Sequence, residues 1–133
     1  MKKIISLALS AVLLGGVVYT LTGGAVQTAV ANSQSANVRT VNGVQTITIT
    51  AKGGYSPETT LAKAGVPTQI IMKTDGTFDC SRGLFIEALN FRNILPETGE
   101  KVLTAGTSKA GEVIQGVCGM GMYRFKVEFS NIG

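Results

Sequence analysis

An alternation of apolar and polar residues with a period of two runs through the second half of the chain. In VQTITITA (residues 44–51), Ile47 and Ile49 alternate with threonines, and in YRFKVEF (residues 123–129) four apolar residues alternate with three charged ones. Side chains two positions apart lie on the same face of an extended strand, so each segment predicts a strand with one buried face. No stretch after residue 43 shows the 3.6-residue periodicity of an amphipathic helix.

Turn-forming residues separate these two strands from three further strand candidates, TQIIMK, LFIEALNF and KVLTA. The intervening segment ETTLAKAGVP is predicted to be a connection without regular structure. Its one large apolar side chain, Leu61, is expected to plug into the core. Glycine is plentiful, at 17 residues, and charged residues make up only 15% of the chain, which is typical of a small, turn-rich β-domain. These five candidates, among six or seven short strands expected in all, are separated by turns and predict an all-β fold, a compact antiparallel sandwich or barrel.

The N-terminal segment is an apolar leader. Residues 4–21 carry no charge and follow Lys2 and Lys3, and this run reaches the shortest length that spans a bilayer as a helix. The sequence AVA at residues 29–31 has the small-x-small pattern that signal peptidase cleaves. Residues 1–31 are therefore predicted to be a signal peptide or a signal-anchor helix. Anchoring is preferred, because the apolar run exceeds the usual signal core of ~7–15 residues.

A segment of small and polar residues follows the leader. NSQSANVRTVNG, at residues 32–43, has the composition of a linker. No internal repeat is visible after it, so residues 44–133 are predicted to form a single folded domain. The lysines on the N-terminal side of the leader favour an extracytoplasmic location for that domain.

The complete absence of histidine narrows the chemistry that this chain can perform. Ser-His-Asp and Cys-His catalytic arrangements need imidazole, as do blue-copper centres and the zinc sites of most hydrolases. The eight carboxylates are scattered and form no recognisable acid–base arrangement, so no enzymatic activity is predicted. The net charge of +4 includes two leader lysines, and the other basic residues form no cluster, so nucleic acid is not an expected partner.

Three sulfur-containing residues are concentrated just before the last strand. Cys118, Met120 and Met122 alternate with glycines in the segment CGMGM. If this segment is extended, all three sulfurs face one side. The only other cysteine, Cys80, lies in the loop after the second strand, and loops at one end of a sandwich converge. Cys80 can thus complete a Cys2Met2 cluster whose soft thiolate and thioether ligands select Cu(I) over Mg²⁺, Ca²⁺ or Mn²⁺.

The same residues also have a purely structural interpretation. Two cysteines in an exported domain most often form a disulfide, and methionines near a strand end are usually core filler. Glycines at alternate positions count against a core strand, because glycine weakens a strand interior. On the residues alone, a Cys80–Cys118 disulfide and a sulfur-ligated metal site both remain open.

Four segments in this order resemble the cupredoxin-like domain family of bacterial copper proteins. They are YSPETTLAKAGVP (55–67), DGTFDCSRGL (75–84), LPETGE (95–100) and CGMGMYR (118–124). The resemblance covers about residues 44–130 and is strongest to membrane-anchored Cu(I) chaperones of bacterial copper resistance, the CupA type. It implies a cupredoxin-like Greek-key β-sandwich, preceded here by the N-terminal leader or anchor helix.

The resemblance also implies a copper site and a function. Cys80 and Cys118 would supply thiolates, and Met120 and Met122 thioethers, to one or two Cu(I) ions. With two ions, Cys118 would bridge them, Cys80 would complete the tighter site, and the methionines would hold the more exchangeable ion. The expected function is a Cu(I) chaperone or buffer in copper resistance, which passes copper to a copper-exporting P-type ATPase and is attached to the membrane by its N-terminal helix.

A second function stays open beside the copper chaperone. The chain can instead be an exported, disulfide-stabilised cupredoxin-like interaction domain that is accessory to metal uptake and binds no copper. An extracytoplasmic location threatens free thiols, because that side of the membrane is oxidising. If copper does bind on that side, the domain is expected to scavenge or buffer Cu(I).

Overall fold

Ten β-strands form two five-stranded sheets in the computed structural model, which describes residues 34–132. In chain order the strands are β1 (Val38–Val41), β2 (Val44–Ala51), β3 (Tyr55–Ser56), β4 (Thr59–Lys63), β5 (Pro67–Thr74), β6 (Gly83–Ile86), β7 (Phe91–Ile94), β8 (Gly99–Thr107), β9 (Val113–Cys118) and β10 (Arg124–Ser130). Two short 3-10 helices interrupt them, at Cys80–Arg82 and Glu87–Leu89. The predicted leader at residues 1–31 lies outside the described residues. Within residues 34–132, no helix has the length and apolar character needed to cross a bilayer.

The two sheets are mixed rather than antiparallel. One has the strand order β1-β2-β5-β8 with β3 paired to β2, and the other has the order β4-β10-β9-β6-β7. The pairs β2/β5 and β4/β10 are parallel, and all other pairs are antiparallel. The all-β sandwich predicted from the sequence is therefore confirmed, but its purely antiparallel character is wrong.

The hydrophobic core lies between the sheets and follows the predicted alternation. β2 has the predicted bounds, with Ile47 and Ile49 fully buried, and Phe125, Val127 and Phe129 are buried in β10. β5 and β6 bury their own alternate residues against these strands: Ile70, Met72, Leu84 and Ile86. The strongest period-two patterns in the sequence thus mark central strands of the two sheets.

Two segments predicted to lack regular structure are edge strands. β1 lies inside the predicted linker, where Val38 is buried and the side chain of Asn37 donates to Thr48 O at 3.0 Å. β4 lies inside the predicted connection and buries Thr60 and Ala62, whereas the predicted plug, Leu61, is only half-buried. β1 and β4 bury few and small side chains, so their sequences carry no strong apolar alternation.

The region predicted to be one strand from Leu84 to Phe91 is two strands with a break. The 3-10 helix Glu87–Leu89 separates β6 from β7 and ends at Asn90, whose φ is +50°. β9 was not predicted because Gly116 occupies an inward position and interrupts its apolar alternation. β9 pairs with both β6 and β10, so it brings Cys118 to the end of the sheet beside the loop that carries Cys80.

Candidate functional site

Cys80 and Cys118 form a disulfide at one end of the sandwich. Cys80 is the first residue of the 3-10 helix after β5, and Cys118 is the last residue of β9. Their Cα atoms lie 5.8 Å apart, and both cysteines of the chain are engaged in this bond. Cys118 is only 2% exposed, whereas Cys80 is partly exposed. The structure therefore brings the two predicted thiolate donors together, in their oxidised form.

Asp79 shapes the loop that carries Cys80. Its carboxylate caps the 3-10 helix by accepting hydrogen bonds from the Ser81 hydroxyl and from Ser81 N at 2.8 Å. The same carboxylate accepts from Gly53 N at 2.7 Å and so ties the loop to the turn between β2 and β3. These bonds, above all the one from the Ser81 hydroxyl, hold the pKa of Asp79 below its ordinary value.

Tyr55 holds the same loop from the core side. Its buried phenol donates to Ser81 O at 3.0 Å, and its ring meets Phe125 edge to face with the centroids 5.1 Å apart. Burial raises the pKa of Tyr55 well above its ordinary value, and the negative charge of Asp79 adds to the shift. The phenol therefore stays protonated as a donor, and it links β10 to the residue next to Cys80.

A tight turn at Cys118 positions the second cysteine. The carbonyl of Cys118 accepts from Gly121 N at 2.8 Å, which closes a β-turn with Met120 as one of its two central residues. Gly121 has a φ of +73°, a conformation that glycine adopts without strain. The amide of Cys118 donates to Tyr123 O at 3.0 Å, and the amide of Tyr123 donates to Cys118 Sγ at 3.4 Å. This closed turn fixes Cys118 Sγ at its base.

The two methionines lie on this turn and point into solvent. Met120 is 76% exposed and Met122 is 64% exposed, whereas Cys118 faces the core. The extended conformation predicted for residues 118–122 is wrong, because the turn reverses the chain directly after Cys118. The interpretation of these two methionines as core filler is also wrong, because both side chains are exposed. Met72 in β5, by contrast, is fully buried in the core.

The donor set at this end of the molecule is soft. Among residues 34–132, no three histidine, cysteine, aspartate or glutamate side chains are grouped so that they could hold a metal ion. The reduced cysteines alone supply two ligands here, and any further ligand would have to come from Met120 or Met122. Two thiolates and two thioethers suit Cu(I), which prefers soft sulfur ligands.

Three residues near the sulfurs were not predicted from the sequence to be part of the site. Tyr55 and Asp79 hold the Cys80 loop, and Phe78, two residues before Cys80, is 74% exposed. A cavity of about 390 Å³ beside the turn is lined by Met122, together with residues of the β2–β3 turn. The YSP and DCSRGL motifs include Tyr55 and Asp79, but no sequence pattern reveals the bonds from Tyr55 to Ser81 and from Gly53 to Asp79, each of which joins residues 26 positions apart.

Comparison with known proteins supports the cupredoxin-like fold. A family model described as a cupredoxin-like domain matches residues 21–129. The metal-binding domain of the Cu(I)-exporting P-type ATPase CopA of Streptococcus pneumoniae D39, crystallised with Cu(I), superposes with a TM-score of 0.62 at 23% identity, covering 71% of this chain and 93% of that domain. A copper-binding protein solved by NMR in its apo form gives a TM-score of 0.61 at 26% identity, covering 70% and 94%. No curated protein sequence matches the chain significantly.

Proposed function

The chain belongs to the family of cupredoxin-like domains, and on that premise we propose that it is a Cu(I)-binding chaperone or buffer in copper resistance. In its reduced form it holds one or two Cu(I) ions through sulfur ligands from Cys80, Cys118, Met120 and Met122. One observation carries the proposal: the fold brings the only two cysteines together at the end of the sandwich that also carries two exposed methionines.

Reduction of the disulfide would release two thiolates that are already close together. Their Cα atoms are 5.8 Å apart, and each cysteine is held by hydrogen bonds of its own neighbourhood. Two thiolates from such a site can bind one Cu(I) ion without rearrangement of the strands. Cys80 is partly exposed and Cys118 is buried, so the ion would enter from the side of Cys80.

The exposed methionines suit a second and weaker site. Thioethers are neutral and bind Cu(I) less strongly than thiolates do, and Met120 and Met122 lie in solvent, where a partner protein can reach them. Cys118 lies at the base of the same turn and can bridge the two ions. This arrangement of one protected ion and one accessible ion suits a protein that must release its copper.

Two of the similar structures support copper as the ligand and a copper exporter as the partner. One is the metal-binding domain of a Cu(I)-exporting P-type ATPase, and the other is a copper-binding protein. We propose that this chain passes Cu(I) to an ATPase of that kind, anchored by its N-terminal segment in the manner of the CupA-type chaperones. On the extracytoplasmic side, which the leader lysines favour, it would act as a buffer or scavenger of Cu(I).

The disulfide is also compatible with a second candidate function. With both cysteines oxidised, the chain would be a disulfide-stabilised cupredoxin-like interaction domain, accessory to metal uptake, that binds no copper. The two functions differ in whether the reduced sulfurs bind Cu(I).

Anaerobic titration of the reduced chain with Cu(I), in competition with a Cu(I) chelator, tests the chaperone function. We expect two equivalents to bind in two affinity steps. The weaker step should be lost in the double variant Met120→Ala/Met122→Ala. Cys118→Ser should lose the tighter step and also weaken the other, because Cys118 would bridge both ions. Binding that is no tighter than in Cys118→Ser would refute the proposal and leave the disulfide-stabilised interaction domain.

A further inference from the structure

The sulfurs that would bind Cu(I) are also the sulfurs that form the disulfide. A disulfide requires its Cα atoms at about 4.4–6.8 Å, and the separation of 5.8 Å between Cys80 and Cys118 lies inside that range. The pair can therefore pass between dithiol and disulfide without movement of the strands that carry it. Each passage from dithiol to disulfide releases two electrons.

Of the two cysteines, only Cys80 is readily reached by solutes. Cys118 is 2% exposed and its sulfur accepts the amide of Tyr123 at the base of the turn, so solutes reach it poorly. Cys80 is partly exposed, in a loop fixed by the bonds of Asp79 and Tyr55 to Ser81. An oxidant in solution would thus meet Cys80 first, and Cys118 is the only cysteine that can resolve the reaction within the chain.

Two further sulfur ligands remain when the disulfide has formed. Met120 and Met122 are exposed on the turn that begins at Cys118, and disulfide formation leaves their thioethers unchanged. Thioethers are soft ligands that suit Cu(I). A cuprous ion produced beside Cys80 would therefore find ligands within the same end of the domain.

We propose that the Cys80–Cys118 pair reduces Cu(II) to Cu(I), an activity that rests on the proposed copper-binding function. Two Cu(II) ions each accept one electron, each cysteine sulfur gives up one, and the two sulfurs join in one S–S bond. Any proton on a thiol is released to solvent. The products are two Cu(I) ions and the disulfide form of the protein, and Met120 and Met122 retain part of the Cu(I) produced.

The test uses the full 133-residue chain in mild detergent, reduced and then freed of reductant under anaerobic conditions. Two equivalents of Cu(II) sulfate are added, and three quantities are followed: Cu(I) captured by a coloured chelator, free thiols, and the mass of the monomer. We expect two Cu(I) per chain, no remaining thiols and a monomer lighter by two hydrogens. In parallel runs at one fixed excess of Cu(II), the half-time should be independent of protein concentration, because the S–S bond forms within one chain.

The variant Cys80→Ser separates this reaction from the general reactivity of thiols. Its remaining thiol can form a disulfide only between two chains, so we expect oxidation slower by on the order of 100-fold or more at micromolar protein. At the start of the reaction the reduced wild type lacks the disulfide, as Cys80→Ser does. A difference in rate between the two proteins therefore does not come from the stabilising effect of that bond. Oxidation of the wild type at the same rate per thiol as in Cys80→Ser, or mainly to dimers, would overturn the proposal.

The methionine variant tests where the product is held. In Met120→Ala/Met122→Ala we expect the same loss of thiols, with all Cu(I) captured by the chelator at once, whereas the wild type should release part of it more slowly. Equal release from both proteins would overturn the retention step.

A parallel titration with Cu(I) distinguishes the two proposals. Tight Cu(I) binding with thiols that survive Cu(II) refutes only the reduction, and rapid thiol oxidation without Cu(I) binding refutes only the chaperone.

Discussion

Replacement of Gly116 by alanine tests how β9 and β10 pack beneath the sulfur site. Gly116 is buried in β9 and pairs with Phe125 of β10. A Cβ atom at Gly116 would lie 2.9 Å from Phe125 Cδ1 and closer still to two other atoms of that ring. Real Cβ atoms do not make such contacts, so the ring of Phe125 would have to move away from its place against Tyr55.

The cost follows from three contributions. Overpacking of a buried ring costs about 1–3 kcal/mol, and loss of the edge-to-face contact between Phe125 and Tyr55 costs roughly 0.5–1.5 kcal/mol. Alanine in a strand recovers roughly 0.5–1 kcal/mol relative to glycine. The expected net effect on the free energy of unfolding is a loss of about 2 kcal/mol, which lowers Tm by roughly 8–16 °C in a domain of this size.

Thermal and urea unfolding of the oxidised chain, followed by circular dichroism, measures this effect. Gly119→Ala is the matched control in the same segment. Its Cβ would find its nearest contact at an ordinary 3.7 Å, on the ring of Phe85, so we expect a change within about 0.5 kcal/mol. Because Tyr55 holds the Cys80 loop, Gly116→Ala should also weaken Cu(I) binding. Unfolding of Gly116→Ala at the wild-type midpoint would refute the packing described here.

Three further predictions concern the loop of Cys80. Tyr55→Phe leaves the buried carbonyl of Ser81 without its donor and should cost about 1–3 kcal/mol in urea unfolding; wild-type stability would contradict this hydrogen bond. The hydrogen bonds from Ser81 and Gly53 lower the pKa of Asp79 in the folded state, so its stabilising contribution is complete above the ordinary pKa of an unfolded aspartate and is lost as the pH falls through the lower folded value. Asp79→Asn should therefore be less stable than the wild type at pH 7, with a difference that shrinks below about pH 4, whereas a constant difference would contradict the assignment. The disulfide closes a loop between residues 38 positions apart, so the reduced wild type should be less stable than the oxidised protein by about 4 kcal/mol, and Cys80→Ser/Cys118→Ser should match the reduced form. Equal stability with and without reductant would show that the bond does not constrain the unfolded chain.

The sequence predicts the strands whose side chains alternate strongly. β2 and β10 each bury three or more residues on one face, and their patterns were readable directly. β1 and β4 lie at sheet edges and bury little, and the inward position of Gly116 hides β9. The parallel pairing of β4 with β10 was beyond prediction, because it depends on contacts between residues more than 60 positions apart.

The candidate site was predictable in its composition and less so in its geometry. The convergence of loops at one end of a sandwich predicts that Cys80 approaches Cys118, and the structure joins them. The orientation of Met120 was mispredicted, because the turn closed by Gly121 depends on one backbone hydrogen bond that alternate spacing does not reveal. The hydrogen bond from Tyr55 to Ser81 joins residues 26 positions apart, so the YSP motif by itself does not reveal it.

X-ray absorption at the copper edge of the anaerobic, Cu(I)-loaded chain tests the central claim most directly. We predict a first shell made only of sulfur, with fewer sulfur neighbours at full copper loading in Met120→Ala/Met122→Ala. In Cys80→Ser/Cys118→Ser the thiolate contribution should disappear. A shell dominated by nitrogen or oxygen, or a sulfur shell that is unchanged when both cysteines are replaced, would contradict a copper site built from these four residues.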